Sequence, residues 1–507
     1  MNTSKARIRI DSELVLGTVD DRLFGSFVEH LGRAIYGGVY QPDHALADEQ
    51  GFRSDVLELV RELTIPIIRY PGGNYVSAYK WEDSVGPVAD RPKRMDLAWK
   101  AIEPNTVGLD EFYSWAQKAG SDVMMAINLG TRGIDDARNL VEYCNHAGGL
   151  FWSDLRKKHG REEPYNFRVW CLGNEMDGPW QIGFKTADEY GKLAEEVAKA
   201  LKLFDPSLEL VVCGSSGPGM PTFPQWEATV LEHCYEHVDY ISLHTYAKKE
   251  HDDLEAFLAE SVRFENFITT VENTVEFVKA KKRSKKTVKL SVDEWNVWYH
   301  SNGSESETDE WQVGRKLLED IYTMEDALVV GCFLIVLLRH AQSVRMACLA
   351  QLVNTIAPVM AEKDGPAWRQ TIFYPFLHCS RYGRGEVLQT VISSETYHTK
   401  KLGDIPYLEA VGIVHRDEKE LVFFCVNRHP VKKLLLEVKA TGFTDLSLIE
   451  HIELSDRDSL AVNSARDPER VQPETVSATT IDNDELSSTI SPLSWNVIRV
   501  RFDSMQQ

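Results

Sequence analysis

Phe167-Arg168-Val169-Trp170-Cys171-Leu172-Gly173-Asn174-Glu175 is an apolar run that stops in an amide and an acid. Beyond it, Ala187–Phe204 carries Leu193, Val197, Ala200 and Leu201 at helical spacing. A wholly apolar strand followed by an amphipathic helix is the unit of a parallel sheet covered on both faces. The unit recurs in both directions along the chain. Candidate strands are Leu23–Phe27, Ile65–Tyr70, Asp122–Leu129, Phe167–Leu172, Leu208–Cys213, Tyr240–His244, Val288–Val292 and Val329–Val336. Helical patterns alternate with them at Ser54–Leu63, Leu109–Ala119, Ala137–His146, Ala187–Phe204, Trp226–His237, Leu254–Lys281, Val313–Glu325 and Arg345–Asn354. Eight such units predict an α/β fold of the closed (β/α)8 TIM-barrel type. An open dinucleotide-binding sheet would need G-x-G-x-x-G after its first strand, and Phe24-Gly25-Ser26-Phe27-Val28-Glu29-His30 has none.

The texture changes near residue 385. Val387–Ile392, Leu408–Val414, Leu421–Val426, Leu434–Val438 and Asn496–Phe502 are β-like runs separated by turn chemistry, and Asp456–Glu485 reads as a loop-rich excursion. The expected division is a barrel over 20–384 and an all-β, jelly-roll-like sandwich over 385–507.

Of the 507 residues, 43% are hydrophobic and 26% charged, a globular balance that excludes wholesale disorder. The net charge of −21 removes the attraction to phosphate that nucleic-acid and anionic-membrane binding require. No apolar signal segment opens the chain, and the longest apolar run, Ala327 to Leu338, is shorter than the roughly 20 residues that span a bilayer. That run is predicted to be a buried strand. The eight cysteines include no C-x-x-C pair and sit in apolar surroundings, as reduced core thiols of a cytoplasmic protein would.

Barrel active sites lie at the C-terminal ends of the strands. There the fourth strand leads into Asn174-Glu175 and the seventh into Asp293-Glu294-Trp295-Asn296. Three βα units separate the two, so their glutamates face each other across the mouth. Two facing carboxyl groups are the minimum apparatus for cleaving a glycosidic bond, one protonating the leaving oxygen and the other attacking or activating water. Each alone reads equally well as a charge capping a helix N-terminus. Other rim residues fit a sugar's hydroxyls: Glu29, His30, Arg69, Asn74, Asn128, His244, Tyr246, Trp298 and Gln351.

In their order these motifs resemble glycoside hydrolase family 51, the α-L-arabinofuranosidases. The resemblance runs through Phe24–His30, Ile68-Arg69-Tyr70-Pro71-Gly72-Gly73-Asn74, Trp170–Trp180 and Asp293–Tyr299. It implies a barrel with a C-terminal β-sandwich that the N-terminal segment 1–19 joins, which accounts for the alternation Arg7-Ile8-Arg9-Ile10. It implies Glu175 as general acid/base and Glu294 as nucleophile of a retaining, exo-acting enzyme. Arabinose-binding positions fall on Glu29, Arg69, Asn74, Asn174, Tyr246, Trp298 and Gln351, with no metal, no cofactor and a homo-oligomer, commonly a hexamer, inside the cell. One departure is Gln342, where the family usually has Asp after Arg-His-Ala, with Ile335 where an Asn is usual.

Two rival readings use the same residues: another barrel glycosidase (endoglucanase, xylosidase or xylanase), or a non-catalytic sugar-binding barrel. A metal site at His233 and His237 lacks the His-Glu-x-x-His order, and Asn302-Gly303-Ser304 reads as a plain loop rather than a glycosylation site. Specificity is expected to reside in the loops Asp83–Trp99 and His300–Asp309.

Overall fold

In the computed structural model, which describes residues 3–298 and 311–505, eight parallel strands close into a barrel in chain order. They are β1 (Gly25–Phe27), β2 (Ile67–Tyr70), β3 (Asp122–Ala126), β4 (Val169–Leu172), β5 (Glu209–Val212), β6 (Tyr240–Ala247), β7 (Lys289–Val297) and β8 (Val344–Ala350). Pairing of Leu349 with Ser26 closes the ring. Each strand is followed by a helix: α1 (Ser54–Glu62), α2 (Leu109–Ala119), α3 (Ile134–Asn145), α4 (Ala187–Phe204), α5 (Gln225–Cys234), α6 (Glu260–Lys282), α7 (Met324–Arg339) and α8 (Phe373–Tyr382). Inward side chains such as Phe27, Met124, Val169, Val211 and Met346 fill the barrel.

The last unit corrects the sequence reading. Val329–Val336 lies inside helix α7, and the eighth strand is Val344–Ala350, where a helix over Arg345–Asn354 was predicted. The predicted helix Val313–Glu325 is absent from the described residues 311–323, where Gly314 and Leu318 take positive φ. The error has a physical cause. An apolar run buried on every side has no period to read, because α7 is wedged between the barrel and the sandwich. Its start is nevertheless written in the sequence: Thr323 accepts from the Asp326 N–H and the Asp326 carboxylate accepts from the Thr323 N–H, a reciprocal cap ahead of the apolar run.

The sandwich pairs a seven-stranded with a five-stranded sheet. The N-terminal strand, Thr3–Asp11, lies in the smaller sheet, parallel to Lys433–Thr441 and antiparallel to Val391–Ser393. Its alternate residues Ala6, Ile8 and Ile10 point into the core with Leu436, Phe423 and Ile498.

On its other face the large sheet packs on α7. Val411, Phe424 and Trp495 join the same apolar cluster as the barrel wall, and a Cβ on Gly331 would stand 2.6 Å from the Trp495 ring. Glu409 crosses this boundary. It accepts from Arg339 of α7 and from Arg428, while Arg428 also donates to Ser261 of α6. Burial opposes the Glu409 charge, and the two guanidinium groups outweigh it, holding the carboxyl below its ordinary range. Its stabilisation is therefore present at neutral pH and is lost as pH falls through the lowered value. Glu409→Ala leaves the buried Arg428 guanidinium without a carboxylate and Arg339 with Glu265 alone, and is expected to cost about 3–5 kcal/mol of stability, read from the urea midpoint.

All eight cysteines are free and buried. Among the described residues no helix is long and apolar enough to cross a membrane. Gln342 lies at the N-terminal end of β8, remote from the mouth, where its carbonyl accepts from the Lys289 ammonium.

Candidate active site

The end of β4 turns sharply. Gly173 and Glu175 take φ of +99° and +43°, and the Gly178 N–H closes the turn on the Glu175 carbonyl at 2.8 Å. This projects Glu175 over the barrel mouth, half-buried, with the Trp180 indole donating to Oε2 at 2.7 Å. β7 shifts register against both neighbouring strands around Val292–Glu294 and delivers Glu294, 6% exposed, from the facing side. Arg69 of β2 holds Glu294 Oε1 at 2.7 Å and donates to Asn174 Oδ1 at 2.7 Å. The Tyr246 hydroxyl donates to Glu294 Oε2 at 2.9 Å, and its ring meets Trp298 edge to face.

His244 of β6 lies between the acids, with Nδ1 3.0 Å from Glu175 Oε1 and 3.6 Å from Glu294 Oε2. Its Nε2 contacts Asp293 Oδ1 at 2.9 Å. One ligand-type atom from each of Glu175, His244 and Glu294 lies within 4.8 Å of the others. Burial disfavours the imidazolium, but Glu294, Asp293 and Glu175 outweigh it and raise His244 to about 10. It is therefore a cation at neutral pH.

Glu29, at the end of β1, forms the far wall. Its Oε1 accepts from the Tyr75 N–H at 2.9 Å and the Trp99 indole at 2.8 Å, and Gln351 approaches Oε2 at 3.3 Å. Burial, reinforced by the charge of Glu294, pushes the carboxyl up to about 8. Gly73 closes the floor, and a Cβ there would fall 2.4 Å from Glu29 Oε2. Gly73→Ala is expected to displace Glu29 and raise KM at least about tenfold, a loss of one or two hydrogen bonds to substrate, with the fold intact by circular dichroism.

Asn74 joins the cluster through Asn174, whose amide reaches Asn74 Oδ1 at 3.4 Å. Two rim candidates stand outside it. Asn128 is consumed by Thr131 of its own loop and the Tyr79 carbonyl of the segment after β2, and His30 is locked between Glu103 and Tyr70. Three residues here were not singled out from sequence: Asp293, Trp180 and Trp99. The first two stand inside quoted motifs, and Trp99 ends the loop Asp83–Trp99 in which specificity was expected to reside. His233 pairs with Asp188 on the barrel exterior. The loop His300–Asp309 and the Asn302 sequence lie outside the described residues.

A (β/α)8 barrel with two carboxyl groups facing across its mouth and a hydrogen-bonding wall between them is the architecture of a glycoside hydrolase. Comparison with known proteins narrows this. The family model for the alpha-L-arabinofuranosidase 1 domain matches residues 59–266, and that for the alpha-L-arabinofuranosidase C-terminal domain matches 293–494. An intracellular exo-α-(1→5)-L-arabinofuranosidase of Bacillus subtilis (strain 168) is 55% identical, covering 99% of this chain and 100% of that protein. An exo-α-(1→6)-L-arabinofuranosidase of Bifidobacterium longum is 45% identical over 98% of this chain and 97% of that one. The solved structure of a family 51 α-L-arabinofuranosidase from Bifidobacterium longum superposes with a TM-score of 0.94 at 44% identity, over 98% of this chain and 99% of the other. The chain belongs to glycoside hydrolase family 51, the α-L-arabinofuranosidases.

Proposed function

We propose that this exo-acting α-L-arabinofuranosidase releases terminal arabinofuranosyl units from arabino-oligosaccharides with retention, Glu294 acting as nucleophile and Glu175 as general acid/base. The supporting observation is that one oxygen of the Glu175 carboxyl lies within 4.8 Å of one oxygen of the Glu294 carboxyl. Retaining enzymes hold theirs about 5–5.5 Å apart, whereas inverting enzymes need about 6.5–9.5 Å to admit a water.

In the first step Glu294 attacks the anomeric carbon while the Glu175 carboxyl gives its proton to the departing oxygen. Arg69 and Tyr246 each hold one Glu294 oxygen, which fixes the line of attack. In the second step the Glu175 carboxylate takes a proton from water, which displaces Glu294 and yields arabinose. Asn174, oriented by Arg69, is positioned for the sugar 2-hydroxyl, a contact that strengthens in the transition state. Glu29, neutral below about 8, retains a proton to donate to a sugar oxygen. Asn74, Trp298 and Gln351 complete the sugar wall.

The α-(1→5) linkage and an intracellular setting are the assignments favoured by the relatives at 55% identity. A homohexamer, the family's common assembly, is proposed with them and is checked by analytical ultracentrifugation. The decisive experiment follows an aryl α-L-arabinofuranoside by proton NMR. The first-formed arabinose is expected to be the α-furanose, and a β-furanose appearing first would overturn the mechanism.

A further inference from the structure

Behind Glu175 lie two buried carboxyl groups that the reaction above does not use. Asp177, in the turn that carries Glu175, is 7% exposed, and Glu227 of α5 is completely buried. Both dock on the segment Cys213-Gly214-Ser215-Ser216 that leaves β5. The Ser215 N–H donates to Glu227 Oε1 at 2.7 Å. The adjacent Ser216 N–H and hydroxyl donate to Asp177 Oδ2 at 3.0 and 3.2 Å. The Ser215 carbonyl lies 3.4 Å from the His244 N–H, and His244 in turn contacts Glu175.

One short segment thus connects a barrel helix, the turn bearing the acid and the histidine beside it. The turn needs such support. Glu175 has a left-handed backbone, which an L-residue with a long side chain adopts only when its surroundings hold it there. Among the described residues no cationic side chain pairs with Asp177 or Glu227. Their second oxygens, Asp177 Oδ1 and Glu227 Oε2, are buried without a hydrogen-bond partner. A role in stability would be served better by apolar side chains at both places, since burying carboxyl groups without a cation carries a desolvation cost.

We propose that Asp177 and Glu227 are positioning residues for the acid/base: they clamp the Ser215–Ser216 segment from two sides and so fix the Glu175 turn over the leaving oxygen. What they supply is an acceptor for a backbone N–H, not a charge. Burial pushes Asp177 up to about 6 and Glu227 to about 7, so the surroundings of both carboxyl groups disfavour the charge rather than call for it. The inference rests on Glu175 being the acid/base.

The test uses a property of general acids. A sugar leaving group must be protonated to depart, whereas dinitrophenolate leaves unaided. We would measure kcat/KM, which reports the steps through glycosylation, on α-(1→5)-arabinobiose and on 2,4-dinitrophenyl α-L-arabinofuranoside. Asp177→Ala and Glu227→Ala are expected to lose about 10–100-fold on arabinobiose, part of the 10²–10⁴-fold a general acid contributes, and less than about threefold on the dinitrophenyl glycoside. Asp177→Asn and Glu227→Gln, which keep the accepting oxygen, are expected to stay within about threefold of wild type on both, since an N–H···O bond is conserved. If an alanine variant does not accumulate folded, Glu227→Met, similar in shape but without the acceptor, is read in its place.

Equal losses on both substrates, no loss on either, or amide variants as impaired as alanine would overturn the proposal. Glu175→Ala run in parallel separates the two levels. If it too fails to show the split, the acid/base reading has failed; if it shows the split and the clamp variants do not, the clamp alone has.

Discussion

Glu294→Ala is expected to lower turnover of an aryl α-L-arabinofuranoside on the order of 10⁵-fold, and azide is expected to restore part of it as the β-configured glycosyl azide. The size follows from what is removed. The other groups at the mouth donate hydrogen bonds or protons, and none stands where Glu294 does with an oxygen free to form the glycosyl bond. Truncation leaves a space bounded by Arg69, Tyr246 and His244, formerly filled by a carboxylate. Arg69 keeps Asp293 beside it at 3.8 Å, and His244 keeps its contacts with Asp293 and Glu175, so positive groups still line the space. That space therefore attracts a small anion. Azide attacking from this side does so once, which inverts the anomeric carbon. Formation of the α-azide by this variant would place the nucleophile elsewhere.

Glu175→Ala is expected to produce the opposite stereochemistry. Its kcat on the same substrate should fall about 10²–10⁴-fold, because water now attacks the glycosyl-enzyme without a base. KM should fall with it as the intermediate accumulates. Azide needs no base. It should intercept the intermediate from the face Glu175 occupied, giving the α-azide after two inversions. Trp180 and His244 each lose an acceptor in this variant, but neither contacts the Glu294 side chain by a short hydrogen bond, so the first step on a good leaving group survives. A variant that makes no azide adduct, or the β-adduct, would remove Glu175 from this role. The pair of products assigns both roles independently of any rate.

The place of both glutamates at the mouth was legible in the sequence because a barrel strand changes character where its apolar run ends. Leu172-Gly173-Asn174-Glu175 and Val292-Asp293-Glu294 change character within two or three residues, and the topology requires those ends to share one rim. Seven of the eight strands were legible for the same reason. The eighth failed because Ala327–Leu338 is buried on all sides, and a pattern without a polar face looks alike in a strand and a helix. Asp293 was passed over although it stands beside Glu294, since nothing in a linear chain says that a strand-end carboxylate will orient a histidine from another strand. Trp99 was legible only as the end of the specificity loop Asp83–Trp99, not as a partner of Glu29. Its place against Glu29 depends on the path of a loop from Arg94 to Glu103, which no periodicity encodes.

The strand Thr3–Asp11 gives the molecule a particular history on the ribosome. Arg7 pairs with Glu437 across 430 residues of chain, with the whole barrel synthesised between them. The strand's pairing with Lys433–Thr441 therefore waits until that stretch has been made. The barrel, with the Val19 N–H donating to the Gly385 carbonyl at 3.0 Å, is the splint that brings these two distant stretches of sequence together in one sheet.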